Sequence, residues 1–163
     1  MFISYFEKPD GMGIFRLLRS KPVAAAKRKF NKQVAKISPA FCEIYNEAYA
    51  AEQLGLGQIC GVGYRKALEF LIKDYLSHLD ASKTESIRKT FLGVCIEKHI
   101  KNDNIKAVAK RATWLGNDET HYVRKWEDKD LSDLKKLIDL TLYWIEQEEL
   151  TKEVLLDMPE GKS

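Results

Sequence analysis

Asn117 and His121 are the residues whose types and spacing are best suited to chemistry in this chain. They lie in RATWLGNDETHYVRKW, residues 111–126, between two helical patterns. A histidine with an ordinary pKa of about 6.5 can take or give a proton near neutral pH. If the chain re-enters a helix after Gly116, Asn117 and His121 share a face one turn apart. Asn117 can then orient the imidazole or a substrate oxygen. Asp118 and Glu119 between them favour a charged imidazole, and Arg111, Arg124 and Lys125 can bring positive charge to a phosphate. The bland alternative is a Gly116-Asn117 turn, a histidine that caps or packs, and Trp114, Tyr122 and Trp126 filling a core. No nucleophile is defined, because the chain has no GxSxG, no HExxH and no GxxxxGK[ST].

Other chemistries find less support. Cys42, Cys60 and Cys95 are odd in number, widely spaced and without a CxxC pair, so neither a disulfide framework nor a zinc knuckle is expected. Cys95 and His99, four apart, are two ligands at most, short of the set zinc needs. The expectation is therefore no metal, no cofactor and a reducing, cytoplasmic setting. No apolar run reaches the ~18 residues of a membrane span. The start, MFISYFEKPDGMG, lacks a basic n-region and a sustained apolar core, so neither a signal peptide nor a membrane partner is expected.

The net charge of +3 is unevenly spread. Residues 1–37 hold nine Lys and Arg against Glu7 and Asp10, leaving +7 there and −4 in the rest. One end can thus meet an anion, nucleic acid or lipid, or can simply be a solvated basic arm.

The elements that must position the site read as helices. Ile3–Phe6 suits a short strand or an extended arm, followed by a turn signal at Pro9-Asp10-Gly11. Val23, Ala26, Phe30, Val34 and Ile37 recur at helical spacing, with Arg28, Lys32 and Lys36 on another face, which predicts a basic amphipathic helix. Ser38-Pro39 marks a boundary and caps a helix ending near Leu54-Gly55. The apolar stripe Leu68, Leu71, Ile72, Tyr75, Leu76, Leu79 predicts the central helix. Upstream, Gly61 and Gly63 each weaken it by about 1 kcal/mol, a cost usually offset where a neighbouring helix or ligand approaches closely. Further helices are predicted over 85–98, over 105–115, and from 130 to 150 or beyond, the last fraying at an acidic end that opposes its dipole. The expected fold is all-α: a four- to five-helix bundle at 38–157, with a basic extension at 1–37 and a tail at 158–163.

ICGVGYRKALEFLIKDYL, then ATWLGNDETHY, then DLKKLIDLTLYWI resemble a bacterial and phage domain family of unknown function that is similar to the HEPN superfamily. The resemblance spans about residues 38–150; its most specific pieces are Arg65–Glu69 and Gly116–His121. It implies a helical homodimer in phage, mobile-element or defence biology, associated with RNA. In active members an arginine, a polar residue and a histidine from two subunits cleave RNA without metal. Histidine assists attack by the ribose 2′-hydroxyl while arginine holds the phosphate. Carried over by position, Asn117 matches the polar residue, His121 the histidine, and Gly116 falls on the arginine. A glycine cannot supply the preorganised cation, often worth ~10²–10³ in rate. Arg111, Arg124 or Arg65 must replace it, or the motif is degenerate. Three functions follow as expectations: an RNA-associated or regulatory HEPN-like module, a metal-independent endoribonuclease using His121, or a helical protein-interaction module.

Overall fold

The computed structural model describes residues 2–9, 13–22 and 24–161. Asp10, Gly11 and Val23, used in the sequence reading above, lie outside the described residues. The chain is mostly helical, and the central stripe is where its core sits. α3 (Gly57–Leu79) buries Tyr64, Leu68, Leu71, Ile72 and Tyr75 almost completely. Each such side chain contributes roughly 1.5–3 kcal/mol by leaving water. Around it, in chain order, come α1 (Lys32–Ile37), α2 (Pro39–Gln53), a 3₁₀ turn (Ala81–Lys83), α4 (Thr84–Lys89), α5 (Leu92–His99), α6 (Asp103–Asp118) and α7 (Leu131–Asp157). All seven helices are present among the described residues, and α3 touches each of the other six. None of them is long and apolar enough to cross a membrane.

Helix starts follow from capping chemistry. The Ser38 hydroxyl accepts the Phe41 amide, Pro39 occupies the first turn of α2, and the same hydroxyl donates to Asp74 at 2.5 Å. Asn102 caps α6, and Asp130 with Asp133 forms a reciprocal capping box on α7. Gly55, at φ 77°, supplies the left-handed residue just after α2.

Three predicted elements come out differently. A strand pair is present: β1 (Phe2–Glu7) and β2 (Arg16–Pro22) form an antiparallel ribbon, so Ile3–Phe6 is a strand and not an arm, and its partner at Arg16–Pro22 is an element the sequence does not predict. The basic helix predicted from residue 23 shrinks to α1, and residues 25–31 form an extended strap. The reason is that α2 satisfies the strap's backbone with side-chain amides. Gln53 accepts the Ala26 N–H and donates to its carbonyl, and Asn46 does the same for Arg28. Arg28 is not a free cation: its guanidinium pairs with Asp139 and donates to the Tyr45 hydroxyl. The single helix predicted over 85–98 breaks into α4 and α5. There the Thr90 hydroxyl donates back to the Ser86 carbonyl, and Phe91 is extended and exposed. α7, predicted from about 130 to 150 or beyond, is helical to Asp157.

The α3 glycines are where neighbours come close. A Cβ on Gly63 would lie 2.8 Å from the Ala48 Cβ of α2. Gly63→Ala is therefore expected to destabilise the fold: overpacking costs roughly 1–3 kcal/mol, outweighing the ~1 kcal/mol that helical alanine returns. Thermal unfolding checks it, and an unchanged or raised Tm would contradict close packing of α2 on α3.

Candidate functional site

The site is built at the C-terminal end of α6, where that helix crosses α3. Gly116 does not form a turn: it and Asn117 lie inside α6, which ends at Asp118. Gly116 is buried, and a Cβ there would meet the Arg65 side chain, 2.5 Å from Cδ and 3.1 Å from Cβ. The stem of Arg65 thus lies across the glycine. Its Nε donates to Asn117 Oδ1 at 3.1 Å, and its Nη1 pairs with Glu69 Oε2 at 3.1 Å. Glu69 in turn holds Lys73 at 2.7 Å. An arginine from the neighbouring helix therefore lies directly over Gly116. Its side chain is only 17% exposed, and its charge already has a carboxylate partner.

His121 lies two residues beyond the C-cap Glu119, outside the helix, so the one-face argument for Asn117 and His121 does not hold. The turn is closed by Thr120, whose hydroxyl donates to the Asn117 carbonyl at 2.7 Å. His121 is exposed, and among the described residues it has no hydrogen-bond or ion-pair partner. Neither intervening acid serves it. Asp118 is buried and accepts the backbone N–H groups of Lys125 (2.9 Å) and Trp126 (2.7 Å). Glu119 pairs with Arg124 at 3.2 Å.

Asp118 thus folds the 119–130 segment back onto α6, placing Trp126 flat on Trp114 with centroids 6.3 Å apart and planes at 5°. These rings do not fill the core: Trp114 is 45% exposed, Trp126 40%, and Tyr122 fully so. On one side of the pair lies an open depression of about 690 Å³, shared by Asn117, His121, Tyr122 and Lys125. A second depression of about 380 Å³, also bordered by the pair, is lined by Arg111, Lys129, Asp133 and Lys136. Arg111 also donates to the Ala107 carbonyl at 2.8 Å, and Arg124 to the Lys129 carbonyl at 2.7 Å.

Of the five residues singled out, the structure joins Arg65 to Asn117 and sets His121 beside Asn117; Arg111 lies over the Trp114 ring, 6.0 Å from its centroid, and Arg124 is held by Glu119. The stacked tryptophans, the Asp118 anchor and Lys73 were not read as site features. The four-residue steps Arg65–Glu69–Lys73 were visible in the sequence; the loop's return to Asp118 left no local signal. Among the described residues no cluster of His, Cys, Asp and Glu suits a metal ion.

Two outcomes follow. In the Arg65 network, burial alone would raise the Glu69 pKa, but hydrogen bonds from Lys73 and Arg65 outweigh it and hold the carboxyl below its usual range. A carboxyl depressed in the folded state stabilises above its unfolded pKa of ~4.3, and that contribution is lost as pH falls through the folded value. The stability gap between wild type and Glu69→Gln, read from urea midpoints, should therefore shrink below about pH 4. A gap independent of pH would contradict the network. Gly116→Ala should destabilise the wild type by displacing Arg65. In an Arg65→Ala background, where only the Cβ remains at 3.1 Å, the same substitution should cost clearly less, with the helix propensity of alanine offsetting up to ~1 kcal/mol. Equal effects in both backgrounds would show that Arg65 does not lie across the glycine.

No protein-family model matches this chain, and no curated protein and no solved structure matches it either.

Proposed function

We propose that the chain is a HEPN-like, homodimeric, RNA-associated module that binds single-stranded RNA at the end of α6 and has lost efficient cleavage. The observation that carries this reading is the exposed aromatic set Trp114, Trp126 and Tyr122 beside Lys125 and the unpaired His121. Unstacked bases need ring faces, and the backbone needs cations close by; each stacked base contributes ~1–3 kcal/mol. The phage, mobile-element or defence setting and the pairing of chains come from the resemblance alone.

The state of Arg65 weighs against catalysis. To stabilise a phosphorane it would have to give up Glu69 and Asn117, and a cation already neutralised in place does little for a developing charge. The same residue also favours a second reading. Because Arg65 lies across Gly116, a metal-independent endoribonuclease using His121 regains a cation where its motif lacks one.

RNA binding and cleavage measured together in EDTA separate these readings. The binding reading expects retention of single-stranded RNA that weakens with salt. It also expects roughly tenfold or greater loss on Tyr122→Ala, and an intact RNA ladder. Cleavage abolished by His121→Ala with unchanged melting establishes the endoribonuclease instead. Absence of binding at low salt removes both and leaves a protein-interaction module.

A further inference from the structure

The depression between α6 and α7 has no role in the RNA reading, although the tryptophan pair borders it. Its walls are one face of each helix. Arg111, Trp114 and Leu115 stand at i, i+3 and i+4 on α6. Asp133, Lys136, Leu137 and Leu140 stand at i, i+3, i+4 and i+7 on α7. Trp126 and Lys129 come from the segment that returns from α6 to α7. At about 380 Å³ the space falls within the range of roughly 300–1,000 Å³ that small-molecule sites occupy.

The apolar part of the lining suits a flat ring. Leu115 is buried and Leu137 half-buried, whereas Leu140, Trp126 and Trp114 keep open surface. The two indoles are already parallel, and Asp118 holds the Trp126 amide, so a guest meets them without ordering the loop first. A ring laid against an indole gains stacking beyond the area it buries, whereas an acyl chain gains area alone. The lining carries no amide or hydroxyl side chain to read the edge of a nucleobase.

The charged part calls for an anion. Three cations and one carboxylate line the space. That carboxylate, Asp133, is committed to the start of α7, where its Oδ2 accepts the Asp130 N–H at 3.2 Å. Lys129 pairs with Asp128 at 3.2 Å. The other two cations have no carboxylate partner among the described residues. Arg111 meets the Ala107 carbonyl and the Trp114 ring, and Lys136 has no hydrogen-bond or ion-pair partner. One unanswered positive charge from each helix thus stands beside indole and leucine surface. A guest that displaces water there strengthens the attraction of both for an anion.

We propose that the α6–α7 depression binds a small aromatic carboxylate. Its ring system lies against Trp114, Trp126 and Leu140, and its carboxylate is held by Arg111 and Lys136, the planar guanidinium matching the carboxylate fork. A neutral ring leaves both cations unanswered, an acyl carboxylate forgoes stacking, and a nucleotide finds nothing to recognise its base. The site goes beyond the RNA reading, which rests on Tyr122, Lys125 and His121; the two share the tryptophan pair and are read out separately.

Titrating naphthoate into the labelled full-length chain, and following the Leu137 and Leu140 methyl and the Trp114 and Trp126 indole signals by NMR, tests it. These signals should shift together and saturate at millimolar naphthoate or below. Octanoate, naphthylmethanol and adenosine monophosphate should each bind roughly tenfold more weakly or worse. Arg111→Gln and Lys136→Gln should each weaken naphthoate by about tenfold, the worth of one charge-assisted contact, with unchanged melting. Lys136 is exposed and bonded to nothing, so its variant keeps the fold. Tyr122→Ala should leave naphthoate binding intact. Shifts that never saturate, affinity indifferent to both glutamine substitutions, or equal binding of any of the three comparison compounds would overturn the proposal. So would naphthoate binding that is lost in Tyr122→Ala but kept in Lys136→Gln, which places the guest in the neighbouring depression. RNA retention by Lys136→Gln reports on the RNA reading, whatever naphthoate does.

Discussion

The close crossing of α3 with α6 is the constraint from which the rest of the site follows. Gly116 has no side chain, so Arg65 can lie across α6 and reach Asn117. One turn earlier on α3, Gly61 makes room for Glu119: a Cβ there would come within 2.8 Å of the Glu119 Cγ. Both contacts hold the last turn of α6 on α3, and Asp118 in that turn then holds the amides of Lys125 and Trp126. A buried carboxylate at a helix C-terminus opposes the dipole, and two backbone donors offset that cost. The stacked tryptophans and the exposed Tyr122 are consequences of this anchoring.

The helices around α3 are fixed by polar contacts as well as by apolar burial. The Tyr64 hydroxyl donates to Glu52, which also holds Lys135, tying α3 to α2 and α7. Tyr75 donates to Glu148, which accepts from Asn102 as well, tying α3 to α7 and the start of α6. Burial, then the adjacent carboxylate, pushes both tyrosine hydroxyls well above their usual range, so both remain neutral donors at any physiological pH. Among the described residues no buried side-chain polar atom lacks a partner. These ties orient α7 so that Leu134, Ile138, Leu142 and Ile145 face the core and Tyr143, Leu150 and Val154 face outward.

Much of this was legible in the sequence because it is local. The Leu68–Leu79 stripe, the Ser38-Pro39 cap and the Asp130 helix start are short-range patterns, and each appears where its pattern lies. The strap at 25–31 was misread because its apolar spacing suits a helix, while Asn46 and Gln53, which bind its backbone, lie some twenty residues away in sequence. Gly116-Asn117 was misread as a turn for a related reason. Propensity argues for a break there, and the demand for a small residue beneath Arg65 comes from another helix. The ribbon was read only as a strand or an arm at Ile3–Phe6, since its pairing depends on a partner strand more than ten residues away.

In the proposed function RNA is held by the aromatic rings while Arg65 keeps its protein partners. Titrating single-stranded RNA into labelled protein, and following the Trp114 and Trp126 indole N–H and the Arg65 Nε–H signals by NMR, tests this most directly. The indole signals should shift with added RNA while the Arg65 signal stays near its free position, still bonded to Asn117. A large displacement of the Arg65 signal with unmoved indoles would contradict it, placing the phosphate on Arg65 and the chemistry back at His121.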